Sequence, residues 1–110
     1  MANTFKNKGQ TNIGTSAATL YITPSSTVTT ILGLTVANVT SSSITTSITI
    51  YDASASTYYH IVKNAPVLAG GSLVVVGGDQ KIVLETSDQV VISTSASNGA
   101  DAFMSYLEQT

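Results

Sequence analysis

The clearest pattern in the chain is a strict alternation over residues 44–51. Ile44, Ile48 and Ile50 fall to one side there, and Thr45, Ser47, Thr49 and Tyr51 to the other. A period of two is that of a strand with one face buried and one face wet. Residues 28–39 repeat it, with Leu32, Leu34 and Val36 set against Gly33, Thr35 and Ala37. Gly33 inside that run predicts a bulge or a close approach of another backbone. The polar tract Thr40-Ser41-Ser42-Ser43 separates the two runs, which predicts a hairpin. Further on, residues 73–76 and 82–84 are continuous apolar runs of β-preferring residues. Gly77, Gly78 and Asp79 between them read as a second hairpin turn, since glycine adopts positive φ without penalty.

Shorter strands are predicted at 19–23, 58–62, 89–94 and 103–107. They are set off by Pro24-Ser25-Ser26, by the small polar loop 52–57, by Pro66, by Thr86-Ser87-Asp88 and by the turn-prone stretch 95–101. About eight strands at regular spacing with no helical period predict an all-β fold. The expected architecture is an antiparallel β-sandwich, jelly-roll or immunoglobulin-like. Residues 1–16 lack periodicity and predict a flexible N-terminal arm ahead of a single domain over 17–110. A frayed end is the plainer reading of that arm. The functional reading has it cross to a neighbouring subunit, with Phe5 and Ile13 as apolar contacts and Lys6 and Lys8 meeting acidic groups on the partner. Its removal is then expected to leave the domain folded.

Composition narrows the functional classes. With 110 residues there is room for one domain with a real core. Only 9% of residues are charged, and Ser and Thr together number 32. The excess of Thr, Val and Ile suits pleated sheet. Arginine is absent, the net charge is −2, and the four lysines are scattered. Releasing counterions from a phosphate backbone needs clustered cations, so no nucleic-acid partner is expected. Weak repulsion between copies favours life in an assembly. Without cysteine, stability comes from packing or oligomerisation. The first residues carry no apolar signal-peptide core, and no apolar run reaches the length of a transmembrane helix. Synthesis in the cytoplasm and no membrane partner are expected.

Little in the chain suggests catalysis. His60 is the sole histidine and no serine sits in a nucleophile elbow, so neither a histidine-rich metal site nor a hydrolase triad is expected. Asp79, Glu85 and Asp88 lie close in sequence but lack the spacing of a calcium loop, and read as turn acids. The Gly70-Gly71 and Gly77-Gly78 pairs lack the helix and lysine of a phosphate loop and read as turns. Tyr51, Tyr58 and Tyr59 form the one recognition candidate: an interface anchor, a sugar-stacking platform, or core and shielding residues. No enzyme, no cofactor and no metal are expected.

Three segments resemble a known family. MANTFKN at the start, VKNAPVLAGGSLVVVGGDQKIVLETSD in the middle and SYLEQT at the end are similar to small virion structural proteins of tailed bacteriophages, particularly phages of cyanobacteria. The likeness runs in order over nearly the whole chain and is most specific over residues 62–88. The resemblance implies a non-enzymatic virion component made in the host cytoplasm. Within that class it implies a capsid cement or decoration protein that reinforces capsomer junctions. The alternatives are a neck, collar or tail component, or a carbohydrate-binding module on the virion. Expected partners are further copies of the chain, as a trimer or another cyclic homo-oligomer, and the major capsid protein or other virion proteins.

Overall fold

A computed structural model describes residues 2–77 and 79–110, so Met1 and Gly78 lie outside the described residues. Nine strands follow one another: β1 (Asn3–Ile13), β2 (Ala18–Ile22), β3 (Val28–Asn38), β4 (Ile44–Asp52), β5 (Thr57–Val67), β6 (Ser72–Val76), β7 (Ile82–Leu84), β8 (Gln89–Thr94) and β9 (Ala100–Gln109). They form two antiparallel sheets. One has the order β1-β9-β3-β6 with β7 also on β3, and the other has the order β2-β8-β4-β5. The all-β sandwich read from the period-two runs is the observed fold.

The pairing of distant strands resolves its type. β6 and β7 lie end to end along the same side of β3, Leu73 opposite Val36 and Val83 opposite Thr30. Taken as one interrupted strand, they leave eight, and these pair first with last throughout: β1 with β9, β2 with β8, β3 with β6 and β7, β4 with β5. The chain is one long hairpin, bent at residues 53–56 and rolled into two sheets. That is a jelly roll.

This topology overturns several local readings. β3 and β4 do not form a hairpin, because the turn between them carries the chain from one sheet to the other. Nor do residues 73–76 and 82–84 pair with each other: each runs antiparallel to β3, one beyond the other along it. The expected turn includes Gly78, outside the described residues. β5 does not stop before Pro66 but runs through it to Val67. It is an edge strand, where a missing N–H can face solvent. Residues 3–13 of the expected flexible arm form an ordered strand in register with β9, from Asn3 opposite Gln109 to Gln10 opposite Ala102.

Packing explains the layers. Ile44, Ile48 and Ile50 from β4 meet Leu34, Val36, Val90, Ile92 and Met104 in a closed core. In β3 the buried phase changes from Thr29 and Ile31 to Leu34 and Val36. Leu32 is the extra residue that lets it do so, since Ile31 sits opposite Tyr106 and Gly33 opposite Ser105. The bulge expected at Gly33 is therefore present.

Candidate functional site

Two features of the molecule are organised beyond simple packing. The first is a polar lock between the sheets. Tyr21 on β2 reaches across to β9 and donates a hydrogen bond to Glu108 (2.5 Å), and it shares a second with the Thr29 hydroxyl (2.8 Å). Lys6 on β1 closes the group with an ion pair to the other Glu108 oxygen (2.9 Å). The Tyr21 and Tyr106 rings lie 4.6 Å apart, tilted by 52°. Glu108 is buried. Its carboxyl is held below the usual range first by the Tyr21 hydroxyl and next by Lys6, against the opposing effect of burial. Tyr21 is pushed well above its usual range, chiefly by burial and then by its bond to Glu108. A buried charge with donors on both oxygens is a structural anchor. Lys6 is thus engaged within its own chain.

The second feature is the outer face of the five-stranded sheet. Because Ala102, Met104, Tyr106 and Glu108 point inward, their neighbours on β9 point out. The register then sets two rows across the sheet. One runs Phe5, Leu107, Thr30, Val83, and the other Gly9, Phe103, Thr35, Val74. Between them lies a row of small or polar residues, Asn7, Ser105 and Gly33. Phe5, Phe103, Val74 and Val83 are all exposed. Asp101, at one margin, is the only charged residue that these registers place on the face. Beside it a hollow of about 420 Å³ opens, lined by Gly9, Gln10, Thr35, Ala37, Asp101 and Phe103. The Phe103 ring at its edge packs close to Gly9, where a Cβ would come within 3.1 Å of it.

The sequence candidates distribute unevenly over this map. Phe5 stands on the outer face, Lys8 is exposed on β1, and Ile13 is core. Asn12 adopts φ 57 where the β1–β9 register shifts, and the chain then turns inward at Ile13. Tyr51 and Tyr58 pair across β4 and β5 with rings 4.7 Å apart at 44°, on the outer face of the other sheet. Tyr59 lies on the opposite side of β5 yet is exposed. The three tyrosines therefore do not form one platform. Asp88 is buried, with one carboxylate oxygen accepting from the Ala53 N–H and the other from the Glu85 N–H. It ties the β4–β5 bend to the β7–β8 turn. Among the described residues, no group of three or more His, Cys, Asp or Glu is placed to hold a metal ion.

Phe103, Leu107, Val74 and Val83 are absent from the sequence-based candidates. The signal for them was present, since 103–107 and 73–76 are apolar at odd and even positions alike. A two-layer sandwich can bury only one face of such strands.

Comparison with known proteins adds information at the level of fold. No protein-family model and no curated protein matches the chain. Among solved structures, a subunit of Bacillus endospore appendages, described as disulfide-linked pili, is similar at 16% identity and a TM-score of 0.59, covering 99% of this chain and 87% of that one. Two chains of infectious bursal disease virus are similar at 11% and 14% identity, with TM-scores of 0.57 and 0.51 and coverage of 96% of this chain each. This chain spans about a third of each viral chain, 30% and 32% of their lengths. The shared property is the β-fold found in a pilus subunit and in virus-particle proteins.

Proposed function

We propose that the chain is a non-enzymatic structural subunit of a tailed-phage virion, seated on the outer capsid as a cement or decoration protein at capsomer junctions. The observation that carries this reading is the outer face of the five-stranded sheet, where Phe5, Phe103, Val74 and Val83 stand exposed in two uncharged rows. Interface cores are depleted of charge and enriched in aromatic residues, whereas exposed apolar patches on free monomers are usually small. The jelly roll, its similarity to pilus and virus-particle folds and the resemblance of residues 62–88 to phage virion proteins support the same role. Fold alone does not imply function, and so the surface carries the weight. The similar pilus subunit is described as disulfide-linked, whereas this chain has no cysteine, so disulfides do not join its copies. Expected partners are further copies in a cyclic homo-oligomer and the major capsid protein, and many copies would attach together through multivalency. The test is a cryo-electron-microscopy reconstruction of the intact particle, with this chain located and its copies counted. Density repeated over the shell at capsomer junctions is expected. Density at one vertex or in the tail would replace the cement role with a neck or tail role.

A further inference from the structure

We infer that the outer face of the five-stranded sheet binds the same face of a second copy about a two-fold axis that runs between the two facing sheets, above Asn7. The inference rests on the reading of this face as an assembly surface and names its partner. Phe5 and Gly9 are four residues apart on one face of β1, with Asn7 midway between them. A two-fold axis parallel to the row Asn7, Ser105, Gly33 and midway between the two stacked sheets therefore exchanges the two flanking rows. Phe5 of one copy comes over the Gly9 hollow of the other, Leu107 over Phe103, and Val83 over Val74. Each large side chain meets an apolar partner or a cavity. The axis itself passes over small and polar residues that permit a close approach of the two sheets, which ordinarily stack about 10 Å apart. An isologous interface requires this self-complementarity.

Area points to the same partner. Phe5 and Phe103 are 74% and 54% exposed, leaving about 250 Å² between them at roughly 150–250 Å² per aromatic side chain. Val74, Val83 and Val28, at 64%, 61% and 42%, add roughly 150 Å² on the scale of apolar transfer free energies. Two copies would thus remove about 800 Å² of apolar surface. A stable interface of about 1,200–2,000 Å² that is somewhat over half apolar needs about that much. The two rows that would meet carry no charged side chain, so the contact is between apolar surfaces rather than opposite charges.

The test is sedimentation of the full chain over a concentration series. A dimer is expected that dissociates on dilution. Phe5→Asp and Val74→Asp, exposed positions in opposite rows, should each weaken it about a hundred-fold, at about 1.4 kcal/mol per tenfold. Ile22→Asp, exposed on the other sheet, should leave it unchanged. Circular dichroism would confirm that each variant is folded. Asn7→Cys should crosslink copies through a short bismaleimide, and Thr49→Cys should not. A monomer at all concentrations, a trimer, or a dimer indifferent to both face variants would overturn the inference. So would protection of the face only on particle binding. Particle occupancy is scored separately, so a dimer missing from virions would sink the cement role and leave this interface standing.

Discussion

At the scale of single residues, Glu108 is the buried charge on which β1, β2 and β9 converge. A buried carboxylate is tolerated because Tyr21 and Lys6 satisfy both of its oxygens. Hydrogen bonds to charged groups contribute about 1.5–3 kcal/mol. Tyr21→Phe should accordingly lower stability by about 2 kcal/mol, measured by chemical denaturation. The pH dependence has a definite sign. Glu108 has a lowered folded pKa, so its contribution is present above its unfolded value and is lost as pH falls through the folded one. Lys6 has a raised folded pKa, so its contribution is present below its unfolded value and fades as pH rises through the folded one. Stability should therefore hold between these limits and decline in acid. Glu108→Gln should flatten the acid limb of a plot of melting temperature against pH. An unchanged limb would show that other carboxylates govern acid unfolding. In the core, Ile48→Ala should cost about 2–5 kcal/mol, the range for large-to-small changes at closed sites.

At the scale of elements, β1 is the informative case. Only Ile13 of its eleven residues is buried, so its place depends mainly on backbone pairing with β9 and on Lys6. The residues of β1 ahead of Ile13 can be removed without opening a large cavity, yet their loss uncovers the edge of β9 and leaves Glu108 without its cation. Deletion of residues 1–12, which spares the core residue Ile13, should lower the melting temperature by several degrees and expose an aggregation-prone strand edge. A deletion variant as stable and as soluble as the full chain would mean that β1 contributes nothing to the fold. β5 is the contrasting edge: Pro66, the register shifts beside Ser47 and Asn64 at φ 51 interrupt its outer side. These devices blunt strand-to-strand association.

At the scale of the whole molecule, the first and last strands must meet before the five-stranded sheet is complete, since Asn3 pairs with Gln109. Closing loops of that length delays every non-local pairing, and all-β chains of this kind fold in about milliseconds to seconds. Stopped-flow refolding should fall in that range, and microsecond folding would contradict the topology. The same arrangement keeps the two chain ends together at one side of the five-stranded sheet, with reciprocal hydrogen bonds between Ala2 and Thr110.

Much of the architecture was legible before any coordinates. Alternation in residues 44–51 marked β4 and its buried face, Gly33 marked a bulge, and the spacing of turns marked an all-β sandwich. Those features are local, written in periods of two and in residues that allow or forbid backbone angles. Pairing is not local. Sequence neighbours such as β3 with β4, and the apolar runs 73–76 and 82–84, suggest hairpins because short loops are the commonest connections. The tertiary structure instead pairs first with last, since only rolling the long hairpin buries both apolar sheet faces at once. The candidate surface divides in the same way. Phe5 stood out in the sequence as an isolated aromatic. Its neighbours Phe103, Leu107, Val74 and Val83 come from three other strands, and only the register of β1, β9, β3, β6 and β7 brings them onto one face. The sequence by itself determined the all-β class and most of the strands, though not β1, whose residues show no periodicity. The tertiary structure decided which of two apolar strand faces was left outside, because a two-layer sandwich has room to bury only one.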